Sequence, residues 1–501
     1  MAIKQLESRF CVVGAGYAGL TAAYRLQQKK QLVTLLEAGS HVGGRVWTEY
    51  LSDGTPFDIG GAWVGNKKVQ PDIRRLMDEL NVRPYGQFTG GAHGKTVFVD
   101  AEHKISHYEP LNKDNPLETV PKMGIWAQLD LGATVFALNA MSEAVHLDSP
   151  WDDIDLPCTP SAGPKTTREA DAMTVETWLK LNMSTAEART LLTNAITGIL
   201  GVSPGAASLL HLLFMLRSFD SSFLNPIGSG PGEAEEFRVR GGAQEMAKKM
   251  AAKLGDAVHL NSPVRQITQD ARGVTVSSET VSVVARRVIV ATGTAMANFI
   301  RFDPILPIPR AQLQQRMPQG ECWKIWLCYD KAFWRSKGLN GESVSIADGD
   351  LIVNARDAGL EAGKDEPGLM NAFLAGDGAR EFDRISRADR KKRVLKELVH
   401  RFGKEAGRLS TRVTFPAVPP QNPKPDSYFE WNWAMDEFTR GDFAAVPGPG
   451  VYTTLGTGPA IRDRFGFVHW AGVDTATYPY ATFSGAVQSG ERAAKEVLEA
   501  D

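Results

Sequence analysis

Apolar and polar positions change period repeatedly along the chain. Phe10 to Val13 is apolar throughout, as suits a strand buried on both faces, and Ala18, Leu20, Ala22, Ala23 and Leu26 then recur with helical character. Gln31 to Leu36 turns apolar again, so strand, helix and strand follow one another as in a parallel βαβ unit. Further on, the pattern predicts a helix over 71–80, extended chain over 95–107 and a long helix ending near His146. Helices are expected over 175–181, 186–200, 206–217 and 243–254, then a meander of short strands closing in the apolar run 288–291. Residues 321–330 alternate, with Cys322, Lys324, Trp326 and Cys328 on one face and Trp323, Ile325, Leu327 and Tyr329 on the other. Two charged amphipathic helices fall in 376–405, and a last helix starts near Phe483. The proline-rich stretches 149–171 and 416–427 read as surface connections.

The turn between the first strand and the first helix carries Gly14, Gly16 and Gly19, a G-x-G-x-x-G sequence. Gly14 permits the tight turn, Gly16 lets a pyrophosphate approach the backbone, and Gly19 lets helix and strand pack closely. Anion binding at such a turn uses the unpaired N–H groups and the positive end of the helix dipole. Glu37 closes the second strand, where a carboxylate suits the hydroxyls of an adenosine ribose and disfavours a 2′-phosphate. The motif alone is weak, since glycine-rich turns also serve packing; set between two apolar strands, with Glu37 in place, it reads as a dinucleotide site.

Gly43, Gly44 and Arg45 follow as a second turn whose N–H groups and cation suit a second phosphate or a flavin. With this order, GxGxxG then Glu then GGR, the sequence resembles the flavin-containing amine oxidase family, monoamine oxidase-like members included. Near the other end, Ala-Gly-x-Asp-Thr-Ala and Gly-Ala-Val-x-Ser-Gly-Glu-Arg-Ala-Ala match the family's closing loop and helix. The resemblance implies an α/β fold in which a Rossmann-like FAD-binding domain (1–90, 220–300, 451–501) interleaves with an α+β substrate-binding domain (91–219, 301–450). It implies FAD contacts from Gly14, Gly16, Ala18, Gly19, Glu37, Gly44, Arg45, Gly61, Ala62, Trp63, Val264, Asp474, Thr482 and Phe483. It also places Lys324 by a water at flavin N5, Trp433 near the flavin, and Phe443 and Thr482 at the paired aromatic positions beside it. Thr482 is no aromatic, and Tyr478, Tyr480 or Phe483 are candidates to fill that side. From the residues alone, Lys324 is either an edge lysine that snorkels or one with a partner and a role. His211, among leucines on a helix, reads as a core residue rather than a catalyst.

The implied reaction is oxidation of a small primary or secondary amine to the imine, with dioxygen reduced to hydrogen peroxide. Alternatives are a desaturase or porphyrinogen-type oxidase acting on C–C bonds, or a non-catalytic FAD-binding subunit. Relatives that oxidise amino acids carry an arginine soon after the GGR turn; GGAWVG offers none, which favours an amine without a carboxylate. Asp442 stands where some members have a cysteine bonded to the flavin, and none of the four cysteines aligns there, so non-covalent FAD is expected.

Composition adds exclusions. Lys+Arg 56 against Asp+Glu 58 gives net charge −2, so no nucleic-acid partner is indicated. Cys11, Cys158, Cys322 and Cys328 form no C-x-x-C pair, which argues against a disulfide framework or a metal site. No apolar run reaches membrane-spanning length and no signal pattern precedes the first strand, so a cytoplasmic enzyme is expected, with monomer and homodimer both open.

Overall fold

The computed structural model describes residues 3–112, 114, 118–157, 163–359 and 364–500. Its nucleotide side is a parallel sheet in the order Val258–His259, Val33–Leu36, Phe10–Val13, Arg287–Val290, Val468–Trp470. The two faces of these strands meet different partners. Phe10, Val12, Leu35 and Ile289 pack under the helices Tyr17–Gln28, Glu245–Leu254 and Phe483–Glu499, while Cys11, Val13, Leu36, Val288 and Val290 pack against a second sheet. Cover on both sides is why the strands are apolar at nearly every position. The second sheet runs Lys4–Glu7, Val281–Ala285, Gly273–Ser278, Val264–Asp270, Arg301–Asp303, antiparallel in the middle and parallel at both outer pairs.

A third, seven-stranded sheet has the order Tyr428–Asn432, Cys322–Tyr329, Gly368–Ala375, Asn354–Asp357, Leu339–Ser345, Lys95–Val99, Ile105–Tyr108. Cys322–Tyr329 is buried at every position because strands flank it on both sides. Its alternation divides two cores as the sequence predicts: Trp323, Ile325, Leu327 and Tyr329 join one, Trp326 and Cys328 the other. Against this region lies a helical layer, Ile125–Ala144, Val175–Asn182, Ala186–Leu200 and Leu209–Arg217, sharing a core with Tyr452 and Tyr480.

Several expectations change in detail. The extended stretch 95–107 is two strands folded back at Asp100, whose carboxylate accepts from the N–H groups of Glu102 and Lys104. The helix expected from 206 begins at Leu209, because Ser208 caps it by accepting from His211 N. Part of 149–171 is no surface connection: Thr167–Asp171 is a short helix, and the Asp171 carboxylate is buried, accepting from Ser208 Oγ, Thr453 N and Thr453 Oγ1. Arg301–Asp303, placed by the sequence reading in the substrate domain, pairs with Val264–Asp270 of the second sheet. Cys158 lies outside the described residues. No described helix is long and apolar enough to cross a membrane.

Candidate active site

Gly14 and Gly16 sit where the first strand hands over to helix Tyr17–Gln28. Gly14 has φ +99°, a conformation open to glycine, and Gly16 is the N-cap, with no side chain to satisfy the first N–H groups of the helix. A Cβ on Gly16 would meet nothing closer than Gly43 O at 4.0 Å, so it would project into open space lined by Gly14, Gly43 and Gly44. That hollow is a cradle for a group that approaches backbone closely. Gly19 does not line it; a Cβ there would lie 1.9 Å from Gly14 O, so its lack of a side chain serves helix-on-turn packing. Glu37 fixes the next corner, one oxygen accepting from Ala15 N at 2.6 Å and the other from Gly39 N at 2.7 Å. Burial raises its pKa and these two N–H groups pull it back. Val264, beside Ser262 whose N–H bonds Glu37 O, lines the same end.

From there one cavity of about 1010 Å³ runs past Arg45 and into the substrate side of the molecule. Arg45 bridges the halves, donating through Nη1 to Gln319 Oε1, Asp442 O and Phe443 O. Lys324 is fully enclosed in the wall beyond. Its Nζ donates to Asp58 O at 2.9 Å and Gly60 O at 2.7 Å, with the rings of Trp326, Trp63 and Phe373 within 4.9 to 5.5 Å. Burial lowers its pKa to about 7, Asp58 opposing that shift and Arg238 adding to it. The snorkelling alternative is thereby excluded, since the strand is central and the side chain is 3% exposed in its residue total.

The family described as flavin containing amine oxidoreductase matches residues 17–498. This chain belongs to that family. It is 31% identical to an L-amino acid dehydrogenase of a Synechocystis species over 97% of its own length and 94% of the relative's. Among solved structures it is similar to wild-type putrescine oxidase bound to putrescine, at TM-score 0.84 and 27% identity over 99% of this chain and 100% of that one. It is also similar to cyclohexylamine oxidase from Brevibacterium oxydans, at TM-score 0.83 and 26% identity over 98% and 99%. Flavin-dependent amine oxidation on a two-domain, monoamine oxidase-like fold is therefore the chemistry of this protein.

Gly14, Gly16, Ala18, Glu37, Gly44, Arg45, Gly61, Ala62, Trp63, Val264, Lys324, Trp433, Phe443, Thr482 and Phe483 all line the cavity of this amine oxidoreductase. Asp474 does not. Its carboxylate accepts from Thr294 N and Ala445 N, tying the segment after Arg287–Val290 to the one before the last helix, and its neighbours Gly472 and Val473 face the cavity instead. Thr482 spends its hydroxyl on structure, accepting from Gly485 N to cap helix Phe483–Glu499 and donating to Pro479 O. Of the aromatic candidates near it, Tyr480 and Phe483 line the cavity, whereas Tyr478 is not among the lining residues and donates to Lys68 O.

No cysteine aligns with Asp442, but Cys322 lies near it in space. Though far from Asp442 in sequence, it faces the same cavity, close enough for that carboxylate to raise its thiol pKa further after burial has done so. His211 is buried, donating or accepting at Tyr452 OH (3.1 Å), and burial pushes its pKa down to about 3, so it stays neutral in the core. Sequence reading missed Phe373 and a polar far end of the cavity made by Glu233, Glu235, Glu342, Asn354 and Arg356. Phe373 had a signal only in pairing, since it sits opposite Lys324 in the sheet register.

Proposed function

We propose that this flavoprotein binds FAD non-covalently and oxidises a small primary or secondary amine to the imine, with dioxygen as electron acceptor, in the cytoplasm. One observation carries the reading: the glycine cradle with Glu37 and the aromatic wall holding Lys324 open into a single cavity. The residues fit the cofactor. Gly14, Gly16 and Gly44 leave room at a helix N-terminus for a pyrophosphate, Glu37 offers acceptor oxygens to a ribose, and Trp63, Trp433 and Phe483 offer flat apolar surface. When bound, the flavin supplies the two-electron acceptor that takes a hydride equivalent from the amine α-carbon and returns the electrons to dioxygen. The protein's part is to exclude water, to orient an uncharged amine between Phe443, Tyr480 and Phe373, and to hold a cation or its proton at Lys324 Nζ. Anaerobic mixing with an amine should bleach the yellow protein, and readmitting air should restore the colour with release of hydrogen peroxide. Peroxide from no member of an amine panel would overturn the reading.

Non-covalent attachment is supported by the chemistry at Asp442 and Cys322. Burial pushes the Asp442 carboxyl up to about 7, and the Cys322 thiol is held protonated by burial and by Asp442, so neither is a ready nucleophile toward a flavin methyl group. Heat or acid denaturation should therefore release all the colour to the supernatant. A yellow pellet would mean a covalent bond.

The far end of the cavity favours a second basic group on the substrate. Glu342, Glu233 and Glu235 bring three carboxyls there against one guanidinium, Arg356, which is already paired to Glu235 and donates to Ile227 O at 2.7 Å. Arg356 thus has its charge matched and is poorly placed to claim a substrate carboxylate. Among the described residues the Glu342 carboxyl has one long hydrogen bond, from Ser229 Oγ at 3.3 Å, and burial raises its pKa to about 7. An ammonium arriving there would favour the ionised carboxylate, whose proton passes to solvent. Putrescine, bound by the similar oxidase, is a diamine of this kind. Glu342→Gln should raise KM about tenfold for a diamine and change it less than about twofold for a monoamine of similar length. Equal effects on both would return the far end to a structural role.

A further inference from the structure

Behind the cavity wall, Arg238 is 3% exposed and does not line the cavity. It stands on strand Phe237–Val239, which pairs with Trp63–Val64 and so brings it under the wall that holds Lys324. Its guanidinium lies 5.8 Å from the centres of both Trp63 and Trp326, the same two rings that flank Lys324 Nζ. Two buried cations thus share two indoles. Between them stands Asp58, whose main-chain oxygen accepts from Lys324 Nζ and whose Oδ2 meets Arg238 Nη2 at 3.5 Å. The other oxygen, Oδ1, accepts from Thr48 Oγ1 at 2.6 Å and Ala243 N at 2.9 Å. Arg238 also donates to Ala358 O, while its buried Nε has no hydrogen-bond partner among the described residues.

We propose that Arg238 is a positioning residue for Lys324, engaging the carboxylate closest to the lysine so that the amine is free to lose and regain its proton in the working range of the enzyme. The inference rests on the reading of Lys324 as the cation beside the cofactor. Charge counting gives the physical reason. The Asp58 carboxylate and the Arg238 guanidinium form an ion pair, so an ammonium at Lys324 leaves one uncompensated positive charge in a dry wall, and a neutral amine leaves none. Without Arg238 the balance inverts, since Asp58 would be left to Lys324 alone. The other titratable groups near the lysine among the described residues are Cys322 on its own strand, whose thiol is held protonated, and Arg356, over Trp63 at 5.8 Å and already paired to Glu235. Neither supplies a negative charge that could replace Asp58. The pKa shifts run the same way, Asp58 raising Lys324 and Arg238 lowering it.

The test is direct observation of the lysine by 13Cε NMR on protein labelled at lysine, with the Lys324 resonance assigned as the one missing in Lys324→Met. In the flavin-loaded enzyme this resonance should titrate near neutrality. In Arg238→Met its midpoint should rise by roughly one pH unit or more, in Arg238→Lys it should stay within about half a unit, and in Asp58→Asn it should fall. Shifts of opposite sign from Arg238→Met and Asp58→Asn cannot come from general loosening of the wall. A midpoint unchanged in Arg238→Met, or moved alike in all three variants, overturns the proposal. Should Arg238→Met fail to fold, the fall in Asp58→Asn with retention in Arg238→Lys decides it. If the midpoints move as stated while flavin reoxidation stays constant, Arg238 still governs Lys324, and it is the role of Lys324 at the cofactor that fails.

Discussion

Gly19→Ala yields protein that carries essentially no flavin. The added Cβ would lie 1.9 Å from Gly14 O and 3.2 Å from Ala291 Cβ, and the first of these is backbone at the phosphate turn itself. Helix Tyr17–Gln28 is unable to retreat from the clash, because helix Phe483–Glu499 clamps its other side: a Cβ on Gly490 would already sit 2.2 Å from Ala18 O. The strain must therefore open the turn, at an overpacking cost of about 1–3 kcal/mol and with the N–H groups of the cradle turned off target. Gly16→Ala acts differently. Its Cβ meets no protein atom inside 4.0 Å and would occupy the space of the ligand, so that variant keeps its thermal stability and loses affinity for FAD by tenfold or more. Flavin-to-protein ratio from the absorbance spectrum, alongside the unfolding temperature, separates the two. A Gly19→Ala protein with native flavin content and native unfolding temperature would contradict the packing assigned to this glycine.

Lys324→Met is expected to slow reoxidation of the reduced enzyme by dioxygen about a hundredfold while leaving flavin bound. A fixed cation in a dry wall stabilises negative charge as it develops, an effect worth roughly 3 kcal/mol at sites of this type. Its pH dependence has a definite sign. The ammonium is present below about pH 7 and lost above it, so native reoxidation falls as pH rises through neutrality, and the variant shows a slow rate without that step. A second signature needs no turnover. The unfolded lysine keeps its proton up to its ordinary value of 10.5, the folded one only to about 7, so between these limits the unfolded chain binds more protons and stability climbs with pH. Below pH 7 both states are charged and the contribution is flat. The Met variant should lack this rise. Stopped-flow traces unchanged at every pH would remove Lys324 from the chemistry.

What was legible beforehand was what is written locally. The phosphate turn needs only a strand, three glycines and a helix in a row, and Phe10–Val13 to Tyr17–Gln28 supplies them without reference to anything distant. The two faces of Cys322–Tyr329 followed from alternation alone. Whether that strand lay at an edge did not, because its neighbours Gly368–Ala375 and Tyr428–Asn432 come from far along the chain. The polar far end escaped for the same reason: Glu342, Asn354 and Arg356 look like ordinary polar positions of two surface strands until Leu339–Ser345 and Asn354–Asp357 are placed beside segment 226–235. Asp474 is the reverse case. Motif matching brought it to the cofactor, whereas two backbone N–H groups already claim its carboxylate.

The parallel sheet has a consequence for how the protein is made. Its middle strand, Phe10–Val13, precedes its neighbour Arg287–Val290 and the outer strand Val468–Trp470 by hundreds of residues, and the helix that braces the phosphate turn is Phe483–Glu499. Contacts of such high sequence separation form slowly and late. Until the segment from Val468 docks, Arg287–Val290 is therefore open along one edge and the turn is unbraced. A cofactor that contacts both the turn and Phe483 would favour the docked helix by mass action.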